Sequence, residues 1–198
     1  MDLVAAVKRR SLRRALELIS EGADVNLAGP RGETALLWAV IHGDHQLVEA
    51  ILAAGGHPTP RTSGKRAPGN GAARATPLHF ATNPDRLAIL QSLLTAGAEV
   101  EAEDAVGLTP LGAAAAVGNE KAARLLLAAG ADPNHRCQPL LLASTAGHGD
   151  VVKCLLEAGG AHTPDPTATF PPLRLAIANG HAEVVTLLRA AGAVWREE

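Results

Sequence analysis

Aromatic side chains are almost missing from this chain of 198 residues: Trp38, Phe80, Phe170 and Trp195 are all it has, and tyrosine is absent. A single globular core of this length normally leans on several such groups, each burying about 150–250 Å². The apolar share of 47% therefore has to come mainly from alanine, leucine and valine. Small side chains fill space only where backbones approach closely, which favours thin elements stacked at regular intervals. Cysteine is equally scarce. Cys137 and Cys154 cannot build a disulfide framework, and Cys154 lies in the apolar run VVKCLLEAG, where it reads as a small buried hydrophobe. No stretch approaches the roughly 18 uninterrupted apolar residues of a membrane span. The start, MDLVAAVKRR, puts an acid at position 2 and its basic cluster after the apolar stretch, the wrong order for a secretory signal. There is no Asn-x-Ser/Thr acceptor. A cytoplasmic protein is the simplest reading.

Signatures of chemistry are missing too. G-x-S-x-G, H-E-x-x-H, C-x-x-C and G-x-x-x-x-G-K-[ST] do not occur. Net charge is -2, from 18 basic and 20 acidic residues, which argues against a general nucleic-acid binder, as does the lack of stacking aromatics. The charge is unevenly spread: residues 1–80 hold ten basic and seven acidic groups, residues 81–198 eight and thirteen.

What the chain does have is a repeat. Leu3, Leu36, Leu78, Leu111, Leu140 and Leu173 each precede a glycine by 19 positions: Gly22, Gly55, Gly97, Gly130, Gly159 and Gly192. Between the two lies a turn signal about seven residues after the leucine. Each unit reads as two short antiparallel helices. In TPLGAAAAVGN, Thr109 suits the N-cap, Pro110 the first helical position and Gly118 the left-handed stop. The second helix, EKAARLLLAAG, has apolar residues at three- and four-residue spacing and closes on Gly130. Connections such as ADVNLAGPRGET and AEVEAEDAVGLT carry the Gly, Asp and Asn of extended turns or hairpins.

These residues resemble the ankyrin repeat family. ATPLHFA (75–81), GLTPLGAAAAVGN (107–119), GHGDVVKCLLEAGG (147–160), NGHAEVVTLLRAAGA (179–193) and EGADVN (21–26) carry the likeness, in register over essentially the whole chain. The resemblance implies an all-α fold: an ankyrin-type solenoid of about six stacked helix-turn-helix repeats with hairpin-like connections, in one domain over 1–198. The repeats fall near 1–27, 28–58, 74–101, 102–134, 135–163 and 164–198, with a flexible insertion at 59–75. A helix pair cannot bury its apolar faces alone, and stacking supplies the missing core. The pattern has departures. Gln138 stands where a capping Thr belongs, and Asp85, beside Pro84, replaces the turn glycine of the third unit, predicting a reshaped turn.

Such stacks bind macromolecules through the concave face, formed by hairpin tips and the exposed ends of first helices. The resemblance therefore implies a monomeric, non-enzymatic scaffold for a protein partner, with no cofactor and no nucleic-acid or membrane role. By register the partner-binding candidates are Arg31 and Glu33, then Val106 and Leu108, at the tips. Ile41, His42, Asn83, Val117, Thr145 and Asn179 are the candidates on first helices. Packing against neighbouring hairpins is the alternative for some of them. Trp38, Phe80, Leu142 and Leu175 share one equivalent position, read as an apolar framework site rather than a hot spot. An adaptor or inhibitor acting on an enzyme is a second functional class. A metal-binding or enzymatic variant is a third, motivated by the eight histidines. His79 belongs to TPLH, and His148 and His181 follow turn glycines, so structural roles are expected of all three; His42 and His45 flank a turn. His135 and Cys137 would offer two of the four ligands a zinc site usually needs. The insertion TPRTSGKRAPGNGAARA contains Arg61, Lys65, Arg66 and Arg74 and no acid, and reads either as a tolerated surface loop or as an arm for an acidic partner. Trp195, near the last edge, is the one aromatic for which the repeat itself gives no reason.

Overall fold

The leucine-to-glycine pattern folds as paired helices. The computed structural model describes residues 2–29, 32–60, 74–136, 138–160 and 172–193. Within these the chain forms two units, Met1–Thr109 and Pro110–Glu198. The first holds α1 (Leu3–Lys8), α2 (Leu12–Ser20), α3 (Ala35–His42), α4 (His45–Ala53), α5 (Pro77–Phe80), a 3-10 turn (Pro84–Arg86) and α6 (Leu87–Thr95). There α1 packs on α3 and α3 on α5, while α2 packs on α4 and α4 on α6. The second holds α7 (Pro110–Val117), α8 (Glu120–Ala128), α9 (Pro139–Ala146), α10 (Gly149–Glu157), α11 (Pro172–Ala178) and α12 (Ala182–Ala190). There α7, α9 and α11 pack side by side, as do α8, α10 and α12. Among the described residues the sole β-pairing is an isolated bridge from Ala28 to Thr34.

Side-chain size explains the close stacking. Three residues after each repeat leucine stands an alanine, Ala6, Ala39, Ala81, Ala114, Ala143 and Ala176, and every one is 0% exposed. The six leucines are buried beside them. A methyl group at that seat brings first helices of neighbouring repeats together, so the core needs few aromatics. The second helices bury Leu47, Val48 and Ile51, then Ile89, Leu90 and Leu93, in the first unit. In the second unit Val151, Val152, Leu155, Val184 and Leu188 do the same.

Helix ends follow from local chemistry. Asp44 Oδ1 accepts the Leu47 amide at 3.1 Å to cap α4, and Asn119 Oδ1 accepts that of Ala122 at 3.2 Å to cap α8. Helix α3 stops at Gly43, whose φ of 73° lets the Asp44 amide bond back to the Ala39 carbonyl at 3.0 Å. The first repeat makes the same turn without glycine: Arg10 takes φ 59°, and the Ser11 amide bonds to the Ala6 carbonyl at 3.0 Å. Arg10 stands seven residues after Leu3, the turn-glycine seat.

The third repeat is reshaped, as Asp85 and Pro84 led us to expect. Helix α5 is only four residues long. Proline at 84 has no amide to return to the Phe80 carbonyl. That carbonyl is taken instead by Asn83 Nδ2 at 3.2 Å and Arg86 Nη1 at 3.1 Å.

Candidate functional site

Two kinds of position decide what a repeat does: those that tie it to its neighbour and those that it presents outward. The tying positions use most of the notable polar residues. His79 Nδ1 lies 3.1 Å from the Thr76 amide and 2.9 Å from its hydroxyl, while Nε2 lies 2.9 Å from the Leu108 carbonyl. An amide can only donate, so Nδ1 accepts and Nε2–H donates to Leu108. His148 Nε2 reaches the Ala116 carbonyl at 3.2 Å, and His181 Nε2 the Thr145 carbonyl at 3.0 Å. Each ring lies over the turn glycine of the preceding repeat. Asn26 Nδ2 donates to the Gly55 carbonyl at 3.0 Å and its Oδ1 accepts the His57 amide at 2.7 Å. Asn134 Nδ2 donates to the Gly159 carbonyl at 3.0 Å. These are structural clasps, in line with the expectation for His79, His148 and His181. The asparagine clasps were not anticipated; Asp-x-Asn after the closing Gly-Ala, in ADVN and ADPN, was the available signal.

The outward positions are the ends of first helices. In the second unit Val117 is 48% exposed and Ile177 41%, and Ala116, Thr145, Ala146, Ala178 and Asn179 are exposed beside them. None of these seven is charged. Thr145 Oγ1 bonds back to the Leu141 carbonyl at 2.7 Å, and Asn179 Nδ2 donates to the Thr145 carbonyl at 2.9 Å, so both already have local bonds. In the first unit Ile41, His42 and Asn83 are half-buried. At the last hairpin of that unit Val106 is 79% exposed and Leu108 half-buried. The loop is fixed by the buried Asp104, whose Oδ1 accepts the amides of Val106 at 2.9 Å and Leu108 at 3.0 Å. Glu33 is only 4% exposed and has almost no surface to offer. Pro30 and Arg31 lie outside the described residues, as do Phe170, Trp195, Cys137 and residues 61–73 of the insertion.

The shared position of Trp38, Phe80, Leu142 and Leu175 is half-buried in each case, as it is for Ala5 and Ala113 in the other two repeats. It is therefore neither core nor free surface. Trp38 shows the consequence. Lys8 Nζ lies 5.3 Å from its ring centroid on one side, and the His42 ring stands at 5.5 Å. Burial holds the His42 pKa below its ordinary value, and the nearby Arg10 charge adds to this against the opposing pull of Asp44. Burial likewise pushes the Cys154 thiol up, with Arg124 opposing. Among the described residues no three His, Cys, Asp or Glu side chains gather to hold a metal ion. Among them, too, no helix is long and apolar enough to cross a membrane.

The fold and its clasps define a protein of stacked ankyrin-type helix pairs. A family model described as ankyrin repeats (3 copies) matches residues 3–104, 65–137 and 111–196, so the chain belongs to the ankyrin repeat family. It is similar to the ankyrin repeat domain of human ASB11, with 28% identity and a TM-score of 0.82 over 100% of this chain and 86% of that one. It is similar also to an ankyrin repeat domain from Acinetobacter baumannii AYE, with 25% identity and a TM-score of 0.83 over 97% and 98% of the two chains. Among curated proteins it is 33% identical over 106 residues to palmitoyltransferase Hip14 of Drosophila melanogaster. The match spans 54% of this chain and 15% of that relative's length. Ankyrin repeats generally mediate protein–protein interaction and typically form non-enzymatic modules.

Proposed function

We propose that this protein is a non-enzymatic scaffold that grips a partner protein on the concave side of its repeats, through hairpin tips and first-helix ends. The observation that carries this reading is the uncharged, partly apolar row of exposed first-helix ends in the second unit, above all Val117 and Ile177. Interface cores are depleted in charge relative to the rest of a surface. In the first unit the candidates are Val106 and Leu108 at a hairpin tip and Ile41, His42 and Asn83 on its helices; in the second they include Thr145 and Asn179. Arg31 completes the candidate set by register. Photo-crosslinkers placed one at a time at Val106, Val117 and Lys153 test the reading, since Lys153 is exposed on the second helix α10. Crosslinks to one protein from Val106 and Val117 but not from Lys153 are expected. Crosslinks from Lys153 alone, or turnover of a small molecule without any partner, would refute the proposal. A second reading is delivery of the bound protein to an enzyme. It is favoured by the relative named as a palmitoyltransferase, of which this chain matches only a 15% segment.

A further inference from the structure

The first unit presents a surface of different character from the second. Helix α1 ends in three exposed cations, Lys8, Arg9 and Arg10. Its neighbour α3 sets Trp38 and His42 against them. Lys8 lies over the indole at 5.3 Å from its centroid, and Arg10 Nη2 reaches the His42 carbonyl at 3.4 Å. Between the two turns is a hollow of about 270 Å³ lined by Val7, Arg10, Leu12, His42 and Leu47. Two carboxylates of the first repeat are engaged elsewhere. Glu17 and Glu21 are held by Arg13 and Arg14 on the second helix, and Asp44, also at the hollow, has its Oδ1 on the Leu47 amide as the α4 cap. The cationic end therefore faces outward with an aromatic and a hollow beside it. A cation resting over a ring face, unlike one in a salt bridge, gains a full Coulombic partner when a carboxylate arrives.

We propose that this surface recognises an acidic segment of a partner protein, with carboxylates against Lys8 and Arg10 and an apolar side chain beside Trp38. The proposal rests on the reading that first-helix ends bind protein, and it adds the chemistry of what they bind. A protein segment fits better than a nucleic acid. The cationic patch is short, the chain is net acidic at -2, and the same unit carries Glu99, Glu101 and Glu103 on a later connection. A long polyanion gains by neutralising many phosphates along a basic track, which this short patch does not supply, whereas a short acidic segment needs only about two or three cations.

The test is selection of binders to the full chain from a random peptide library. Affinities of the enriched peptides are then measured from indole emission in a Trp195→Phe variant, which leaves Trp38 as the reporter. Enriched peptides should be net acidic with at least one apolar residue, should shift Trp38 emission, and should weaken as salt is raised. Lys8→Met combined with Arg10→Gly should lower their affinity at least about tenfold; glycine is compatible with the left-handed backbone at 10, so the fold is kept. Circular dichroism of the variant checks this. Neutral or basic enriched peptides, acidic peptides that bind the variant equally well, or no binders at all would each overturn the proposal. So would equal or better competition by a single-stranded oligonucleotide or a phosphatidylserine vesicle, which would mark a general polyanion site. Neutral peptides that depend on Val106 or Val117 would sink this inference while leaving the proposed function intact. Failure of the crosslinking from Val106 and Val117 bears instead on the proposed function.

Discussion

Three glycines of the second unit occupy the same seat, seven residues after a repeat leucine, and offer a controlled experiment. Gly118, Gly147 and Gly180 have φ of 74°, 81° and 73°. Any L-residue there bears the left-handed backbone cost of about 1–2 kcal/mol. Their surroundings differ. A Cβ on Gly118 would stand 2.5–2.8 Å from three atoms of the His148 ring, and one on Gly147 2.6–3.0 Å from the His181 ring. A Cβ on Gly180 would meet nothing within 4 Å. Gly180→Ala should therefore cost the backbone term alone. In Gly118→Ala the imidazole must move by nearly an ångström to reach ordinary contact. The bond from His148 Nε2 to the Ala116 carbonyl, at 3.2 Å, is already near its limit and will break. Ala116 is exposed, so water takes over its carbonyl and no burial penalty is added. The extra loss is that of one net hydrogen bond, about 1 kcal/mol. Gly118→Ala should thus cost about 2–3 kcal/mol in all.

A double-mutant cycle separates the two contributions. In a His148→Ala background the ring is gone, and Gly118→Ala should fall back to the cost seen at Gly180. The expected coupling between positions 118 and 148 is about 1 kcal/mol, read from urea unfolding followed by far-UV ellipticity. Gly147→Ala with His181→Ala repeats the measurement at the next turn. If Gly118→Ala and Gly180→Ala cost the same, or the coupling falls below about 0.5 kcal/mol, the rings are bystanders and the clasp argument fails.

Three further outcomes are expected. Arg10→Gly should raise stability by roughly 0.5–1 kcal/mol in urea unfolding, because a non-glycine residue at φ 59° is strained and the bond it gives up, at 3.4 Å, is weak. His42 has a folded-state pKa below its ordinary 6.5, so the unfolded chain takes up the proton first as pH falls. Stability present above that value should decline as pH drops through it toward the folded pKa, and His42→Gln should flatten the decline that begins there. Ala143→Leu, at a 0% exposed seat, should destabilise by about 1–3 kcal/mol in the same unfolding assay. Ala146→Leu, on the exposed end of the same helix, should stay within about 0.5 kcal/mol.

How much could be read in advance depended on whether one residue carried one reason. The spacing from leucine to glycine has a single cause: a helix pair with a glycine-closed end. The helices accordingly fall where the spacing put them. Pro84 and Asp85 likewise announce the short α5, because a missing amide and a missing glycine have unavoidable backbone consequences. Arg10 escaped notice since a charged side chain carries no turn signal; only its register with Gly43 and Gly118 reveals the seat. Glu33 has the register of a hairpin tip, yet it is buried, and charge alone does not tell a buried carboxylate from an exposed one. The position shared by Trp38 and Phe80 was read as framework, and it is half-exposed. Its burial is alike in all six repeats although the residue ranges from alanine to tryptophan, so an apolar side chain there does not tell a core seat from a half-exposed one.

The residue after the turn shows why a repeat family hides function better than fold. That position is the N-cap of the second helix. Where it is Asp44 or Asn119 the side chain caps its own helix. Where it is His148 or His181 there is no side-chain cap, and the ring reaches back to the preceding repeat. Arg86, at the corresponding place, does neither, and secures the Phe80 carbonyl that Pro84 left open. A cap and a clasp each contribute about 1 kcal/mol, so stability hardly chooses between them. What differs is the coupling between neighbours: capped repeats hold themselves, clasped repeats hold each other. Three of the histidines that suggest metal chemistry, His79, His148 and His181, are thus used in assembling the stack. In the function proposed above, recognition then falls to surface positions such as Val106, Val117 and Ile177, which are exposed and apolar.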